Sequence, residues 1–150
     1  QQERVSFTEM EFRFAMEKLE NGDFSGTRET LSEIPKRDED NSLAPKVAFA
    51  LGVLQLLEMD DVARMSECRD YFQAFSDQHP GGPYRENADR IVHILSGHIE
   101  RAKREQKRIK ELTQQVTDQD KVIQTLRYKI EKLEEIHQET EEKRRLPEEE

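Results

Sequence analysis

The stretch that decides the fold is residues 109–137, IKELTQQVTDQDKVIQTLRYKIEKLEEIH. Nine of its residues, spaced alternately three and four apart, form the a and d positions of a heptad repeat, which we call the seam: Ile109, Leu112, Val116, Gln119, Ile123, Leu126, Ile130, Leu133 and His137. The a positions through Ile130 are β-branched and the d positions other than Gln119 are leucine, which is typical of a parallel two-stranded coiled coil. We therefore predict that the seam is an interface with another helix.

Polar residues interrupt this seam. Gln119 at a d position and His137 at an a position restrict register or partner choice and lower stability. Lys129 at a g position would face Glu134 of a parallel partner, whereas Val122 at another g position widens the apolar surface and favours higher oligomers. We expect a homo-oligomer, with a dimer favoured over a trimer. Docking onto another protein, or packing of this helix against its own N-terminal domain, remains open.

Composition predicts that the hydrophobic core lies in the first part of the chain. Of the 150 residues 33% are hydrophobic and 38% are charged, too polar for one core along the whole length. Residues 1–97 have a net charge of −8 and residues 98–150 a net charge of −1. We expect a helical domain over 1–97, a coiled-coil helix over 98–146 and an acidic tail over 147–150. The acidic domain argues against binding to nucleic acid or to an anionic membrane surface.

Helix signals divide the first domain into hairpins. Ser6 and Glu9 form a capping box, so a helix should begin there. Gly22 should end that helix and Asp23 should cap the next, which makes the two helices an antiparallel hairpin. The first helix should have a wide apolar face, made of Phe7, Met10, Phe12, Phe14, Met16 and Leu19.

The middle of the domain predicts a second hairpin. Residues 36–42 are polar and should form a surface loop, whereas residues 44–59 are apolar on all sides and should form a central helix. Asp60 or Asp61 should cap the helix that follows. The turn at 22–24 is similar to that at 60–62, 38 residues later, close to the 34-residue period of tetratricopeptide repeats.

We therefore predict an all-α fold of tetratricopeptide-like helical hairpins followed by a long coiled-coil helix. In the repeat register, Phe14 and Ala15 are the large and small packing residues of the first helix. A plain helical bundle is the alternative. No helix breaker lies between Pro83 and Pro147, so the coiled-coil helix should be continuous with the third helix of the domain.

No motif in the sequence predicts catalysis or a cofactor. His79, His93, His98 and His137 belong to no metal-binding motif, and Cys68 is the lone cysteine. We expect Cys68 to be buried or half-buried and His93 to be buried against the bundle. We expect no catalytic, metal or cofactor-binding residue and no enzymatic activity.

A basic segment precedes the heptads and resembles, in composition, the basic region of a leucine-zipper DNA-binding protein: Arg101, Lys103, Arg104, Lys107, Arg108 and Lys110. Glu100 and Glu105 interrupt this segment. A solvated helix face with pairs such as Glu100 with Arg104 is the favoured interpretation.

The closing segments at 130–136, IEKLEEI, and 141–145, EEKRR, following helical hairpins, resemble the bacterial QseG (YfhG) family of outer-membrane lipoproteins. The resemblance implies a periplasmic adaptor that activates or regulates a partner sensor histidine kinase of a two-component system. It implies a lipid anchor upstream of Gln1 and identifies no site residue. The alternative is a structural scaffold protein that assembles through its coiled coil and has no signalling role.

Overall fold

The computed structural model describes residues 6–146, and this part of the chain is helical, without strands. The helices within it are α1 (Phe7–Glu20), α2 (Phe24–Glu33), α3 (Ala44–Leu57), α4 (Val62–Gln78) and α5 (Arg85–Arg145). A short 3-10 turn, Ile34–Lys36, follows α2. The predicted all-α class is confirmed. The predicted acidic tail at 147–150 and the first five residues of the predicted domain lie outside the described residues.

The chain divides into two compact units, with unit 1 ending at Ala102 and unit 2 beginning at Lys103. Local signals set the helix ends in unit 1. Ser6 and Glu9 form the predicted capping box, in which the Ser6 Oγ accepts a hydrogen bond from the Glu9 N–H at 3.2 Å. The carboxylate of Asp61 likewise accepts from a backbone N–H of the first turn of α4, at 2.7 Å. Gly22 lies in the left-handed region at φ 78° and ends α1 as predicted.

Helix α3 is central to unit 1, as the sequence predicted. Its Val47 and Ala50 belong to a first core cluster with buried side chains of α1, α2 and the 3-10 turn. Its Phe49 and Val53 pack on a second cluster, formed by α4 and the first turns of α5. Helix α3 is therefore apolar around most of its circumference because it has neighbours on two sides.

Helices α3 and α4 approach closely at Gly52. A Cβ atom at this position would lie 2.7 Å from ring carbons of both Tyr71 and Phe72. The Tyr71 hydroxyl donates a hydrogen bond to the Ala48 carbonyl oxygen at 2.6 Å, which joins the same two helices. Glycine thus allows the rings of α4 to contact the backbone of α3.

One prediction for α1 is wrong. Phe12 and Ala15 are buried in the core, but Phe7, Met10 and Phe14 are exposed, and Phe14 retains 54% of its surface. The large residue of the buried pair is therefore not Phe14. Helix α1 has apolar residues on two sides, and only one of them packs against α2 and α3.

Two further predictions in unit 1 are corrected. Within the polar loop, Asp38 is buried, and its carboxylate accepts a hydrogen bond at 2.9 Å from the N–H of Leu43, the residue before α3. His93 is exposed, since the face of α5 that packs on the second cluster contains Ala88, Ile91 and Leu95.

Helix α5 runs unbroken from Arg85 to Arg145 through Gly97, as predicted from the lack of helix breakers. In unit 2, no side chain between Lys103 and Leu146 is buried. None of the helices described between residues 6 and 146 is long and apolar enough to cross a membrane.

Candidate interaction surface

All nine residues of the seam are exposed on unit 2. Its apolar residues range from 47% exposed at Ile123 to 65% exposed at Leu133, and Gln119 and His137 are exposed as well. Covering an aliphatic side chain that is about half exposed stabilises by roughly 1 kcal/mol. Contact with a second helix along the seam would therefore stabilise an assembly by several such increments.

Helix α5 places the seam residues on one face. From Ile109 to His137 the helix rises about 42 Å at 1.5 Å per residue. An apolar stripe this long and narrow suits another helix better than a compact ligand. Val122 and Ile136, both more than half exposed, border the stripe on its g side.

Shallow depressions lie along the seam. Ile130, Leu133 and His137 line one of them, and Gln119 and Ile123 help line another. In a coiled coil, each a or d side chain inserts between four residues of the facing helix. The depressions have the composition expected of such holes.

Polar residues away from the seam bond along the helix itself. Gln124 donates to the Asp120 carboxylate at 3.2 Å, and Lys132 pairs with Glu135 at 3.3 Å. These short-range bonds join polar side chains that lie one turn apart on α5. The apolar side chains of the seam, in contrast, stay exposed to solvent on a single helix.

The titratable residues considered from the sequence do not converge on a site. His79 lies against the Phe75 ring, with ring centroids 4.8 Å apart, and His93 and His98 are exposed. Among residues 6–146, no cluster of three or more His, Cys, Asp or Glu side chains has the geometry to hold a metal ion.

Cys68 is buried, as predicted. Burial raises the pKa of its thiol above the ordinary value, which disfavours the reactive thiolate. Burial also raises the pKa of Tyr71, and the nearby Cys68 adds to that effect. Both groups therefore pack in the protonated form at neutral pH.

The basic segment before the heptads is exposed in full. Arg101 bonds within its own helix, to the Gly97 carbonyl oxygen at 3.4 Å. The expected pair between Glu100 and Arg104 does not form in the part of the chain that the structure describes. The segment is a solvated helix surface.

Sequence reasoning missed an apolar groove on unit 1. It lies between α1 and α3, and its principal lining residues are Phe12, Met16, Leu19, Lys46, Phe49, Val53 and Tyr84. The signal in the sequence is the apolar spacing at residues 12, 16 and 19 of α1, which is distinct from the exposed apolar residues 7, 10 and 14 of the predicted wide face.

No protein-family model, curated protein or solved structure matches this chain. The resemblance of the closing segments to the QseG family is therefore still a prediction.

Proposed function

We propose that this protein is a non-enzymatic interaction module that self-associates through the seam of α5. One observation supports this above others: a heptad stripe about 42 Å long is exposed on an unbroken helix. Such a stripe is unfavourable in water, and a second copy supplies an identical stripe that covers it.

A parallel arrangement in register fits the polar residues best. It places Gln119 opposite Gln119 of the second copy, where the two amides can hydrogen-bond each other. It also places Lys129 near Glu134 of the second copy. An antiparallel alignment that superposes the same seams puts Gln119 opposite an aliphatic residue, Ile123, and brings two Asp120 carboxylates together.

For unit 1, we propose that the hairpins are related to tetratricopeptide repeats. That repeat has a small residue followed four positions later by a large one in its second helix. Thr27 and Leu31 fit this spacing in α2, and Cys68 and Phe72 fit it in α4, all of them buried. The Thr27 hydroxyl also contacts the carbonyl oxygen of Ala15 at 3.5 Å, where α1 and α2 pack.

The resemblance to the QseG family extends the proposal to a cellular role. In that role the protein is a periplasmic lipoprotein-type adaptor at the outer membrane, and it activates or regulates a partner sensor histidine kinase. The alternative is a structural scaffold whose coiled coil only assembles it. The exposed seam supports both, since each requires association between proteins.

Sedimentation tests self-association directly. We expect a species of twice 17.7 kDa for a dimer, and we expect Ile123→Asp combined with Ile130→Asp to give monomer, because two charges would be buried in the seam. A matched control is Gln124→Asp combined with Tyr128→Asp. These residues are exposed and off the seam, add the same charge and should leave the oligomer intact. A monomeric wild type at high concentration would contradict the proposal.

A reconstituted kinase assay separates the adaptor from the scaffold. A candidate sensor kinase in lipid vesicles should autophosphorylate faster when the wild-type protein is added. The Ile123→Asp, Ile130→Asp variant tests whether that effect requires the oligomer. An oligomer that leaves the rate unchanged for every kinase encoded beside the gene would favour the scaffold.

A further inference from the structure

We infer that the groove between α1 and α3 binds a short peptide segment that presents one or two large apolar side chains next to a carboxylate. This surface belongs to unit 1 and is separate from the seam. The inference therefore does not depend on self-association.

Two rows of side chains, one on α1 and one on α3, form most of the groove wall, and Tyr84 completes it. Phe12, Met16 and Leu19 form the row on α1, and Phe49 and Val53 belong to the row on α3. Apart from buried Phe12, these side chains are half-buried, so apolar surface remains open to solvent in the groove. The row on α1 runs from residue 12 to residue 19, a rise of about 10 Å, which matches three residues of extended chain or two turns of helix.

The volume of the groove lies just below that of typical sites for drug-sized ligands. The cavity volume is about 270 Å³. Sites for drug-sized ligands usually measure about 300–1,000 Å³. Room for one or two side chains is typical of an anchor site in peptide recognition.

The charge of the groove determines which kind of peptide it favours. Lys46 is the charged residue that lines the groove, and its Nζ lies 4.5 Å from the centre of the Phe12 ring at the rim. Its ammonium forms no ion pair with any carboxylate between residues 6 and 146. An occupant with a carboxylate beside its apolar side chain complements this cation.

The acidity of the domain limits how the carboxylate can act. Residues 1–97 have a net charge of −8, which repels an acidic peptide at a distance. At physiological salt that repulsion is screened beyond about 8 Å, so the nearby Lys46 dominates once the peptide is in the groove.

Methionine methyl NMR on the full chain tests the inference. The chain has four methionines; Met16 lines the groove, whereas Met10 is exposed and absent from its lining. The probe is an acetylated and amidated pentapeptide of alternating glutamate and leucine. We expect the Met16 methyl resonance to shift saturably, with no comparable shift of Met10.

Two comparisons isolate the charge and the apolar anchor. Lys46→Glu should weaken binding about fivefold, because it replaces an attraction by a repulsion, whereas Lys110→Glu in unit 2 makes the same change of charge and should not. The probe with lysine in place of glutamate should bind the wild type at least as weakly as the glutamate probe binds the Lys46→Glu variant. The probe with serine in place of leucine should not bind.

Three results would overturn the inference. They are a Met16 resonance that does not move, equal shifts of Met10 and Met16, and equal affinity for the glutamate and lysine probes. Lys46→Glu changes an exposed residue, so the fold is retained, and unchanged resonances of the other methionines in that variant verify it.

Discussion

Gly52 shows how one hydrogen atom in place of a methyl group sets the distance between two helices. Gly52→Ala puts a Cβ 2.7 Å from ring carbons of Tyr71 and Phe72, so the rings or the helices must move. We expect the free energy of unfolding to fall by about 1–3 kcal/mol. Urea unfolding of variant and wild type side by side measures it.

Gly97 provides the matched control. It is also helical, but apart from the adjacent backbone of α5 itself, no atom of residues 6–146 lies within 4 Å of the Cβ that alanine would add. Gly97→Ala should therefore raise the free energy of unfolding, by about 0.5–1 kcal/mol, through helix propensity alone. Equal effects of the two substitutions would contradict the close approach described for α3 and α4.

Cys68 and Tyr71 predict a loss of stability at alkaline pH. Burial raises the pKa of each group above its ordinary value, 9.0 for the thiol and 10.0 for the phenol. The unfolded chain therefore loses these protons first as the pH rises, and the free energy of unfolding should decrease above about pH 9. Urea unfolding at about pH 7.5 and about pH 10 tests this.

Cys68→Ala separates the two groups. The variant should lose the part of the alkaline decrease that comes from the thiol, together with the thiol's contribution to the raised pKa of Tyr71, and keep the part that comes from the burial of Tyr71. An identical pH dependence in variant and wild type would show that the thiol ionises equally in the folded and unfolded chains.

Single residues also show where sequence reasoning stopped. The burial of Cys68 followed from its type and its helical spacing with other apolar residues. The choice between Phe12 and Phe14 could not be made in the same way. Both are phenylalanines on one helix, and only the positions of α2 and α3 decide which of them is covered.

Among the elements, α3 depends on a residue outside it. Asp38, five positions before Leu43, accepts the N–H of Leu43 with its buried carboxylate. Asp38→Ala leaves that donor without this acceptor and should lower the free energy of unfolding by about 1–3 kcal/mol. Glu39→Ala, at the exposed neighbouring position, should change it by less than about 0.5 kcal/mol. Thermal unfolding of the two variants provides the comparison.

Helix ends were predictable because their signals are local. The capping box at Ser6, the left-handed Gly22 and the cap at Asp61 each depend on residues within one turn. Asp38 was missed for the opposite reason, since its polar neighbours indicated a solvated loop. The groove was missed too, because it exists only where side chains of α1 and α3 lie next to each other.

For the whole molecule, a single engineered disulfide can determine whether the helices of the proposed coiled coil are parallel or antiparallel. In a Cys68→Ala background, Leu133→Cys should form a cross-linked dimer under mild oxidation, because parallel helices in register place identical d positions side by side. In the antiparallel alignment, residue 133 faces residue 109, about 36 Å along the helix from its own equivalent. Gel electrophoresis without reductant gives the result.

Gln124→Cys is the control for random collision, since it lies off the seam and is exposed. It should cross-link slowly. A sedimenting dimer that does not cross-link at Leu133 would keep the proposed self-association and reject its parallel orientation. If the protein sediments as a trimer in which two chains cross-link at residue 133, the parallel orientation is supported and a two-stranded coiled coil is contradicted.

The exposed seam also makes the proposed self-association depend on the concentration of the protein. If the seam closes by the proposed self-association, the fraction of chains in the coil should rise with total concentration, and the melting temperature of unit 2 should rise with it. Confinement to a membrane surface would concentrate the chains without any change in expression. The seam would then act as a density sensor, with self-association reporting how closely the molecules are crowded.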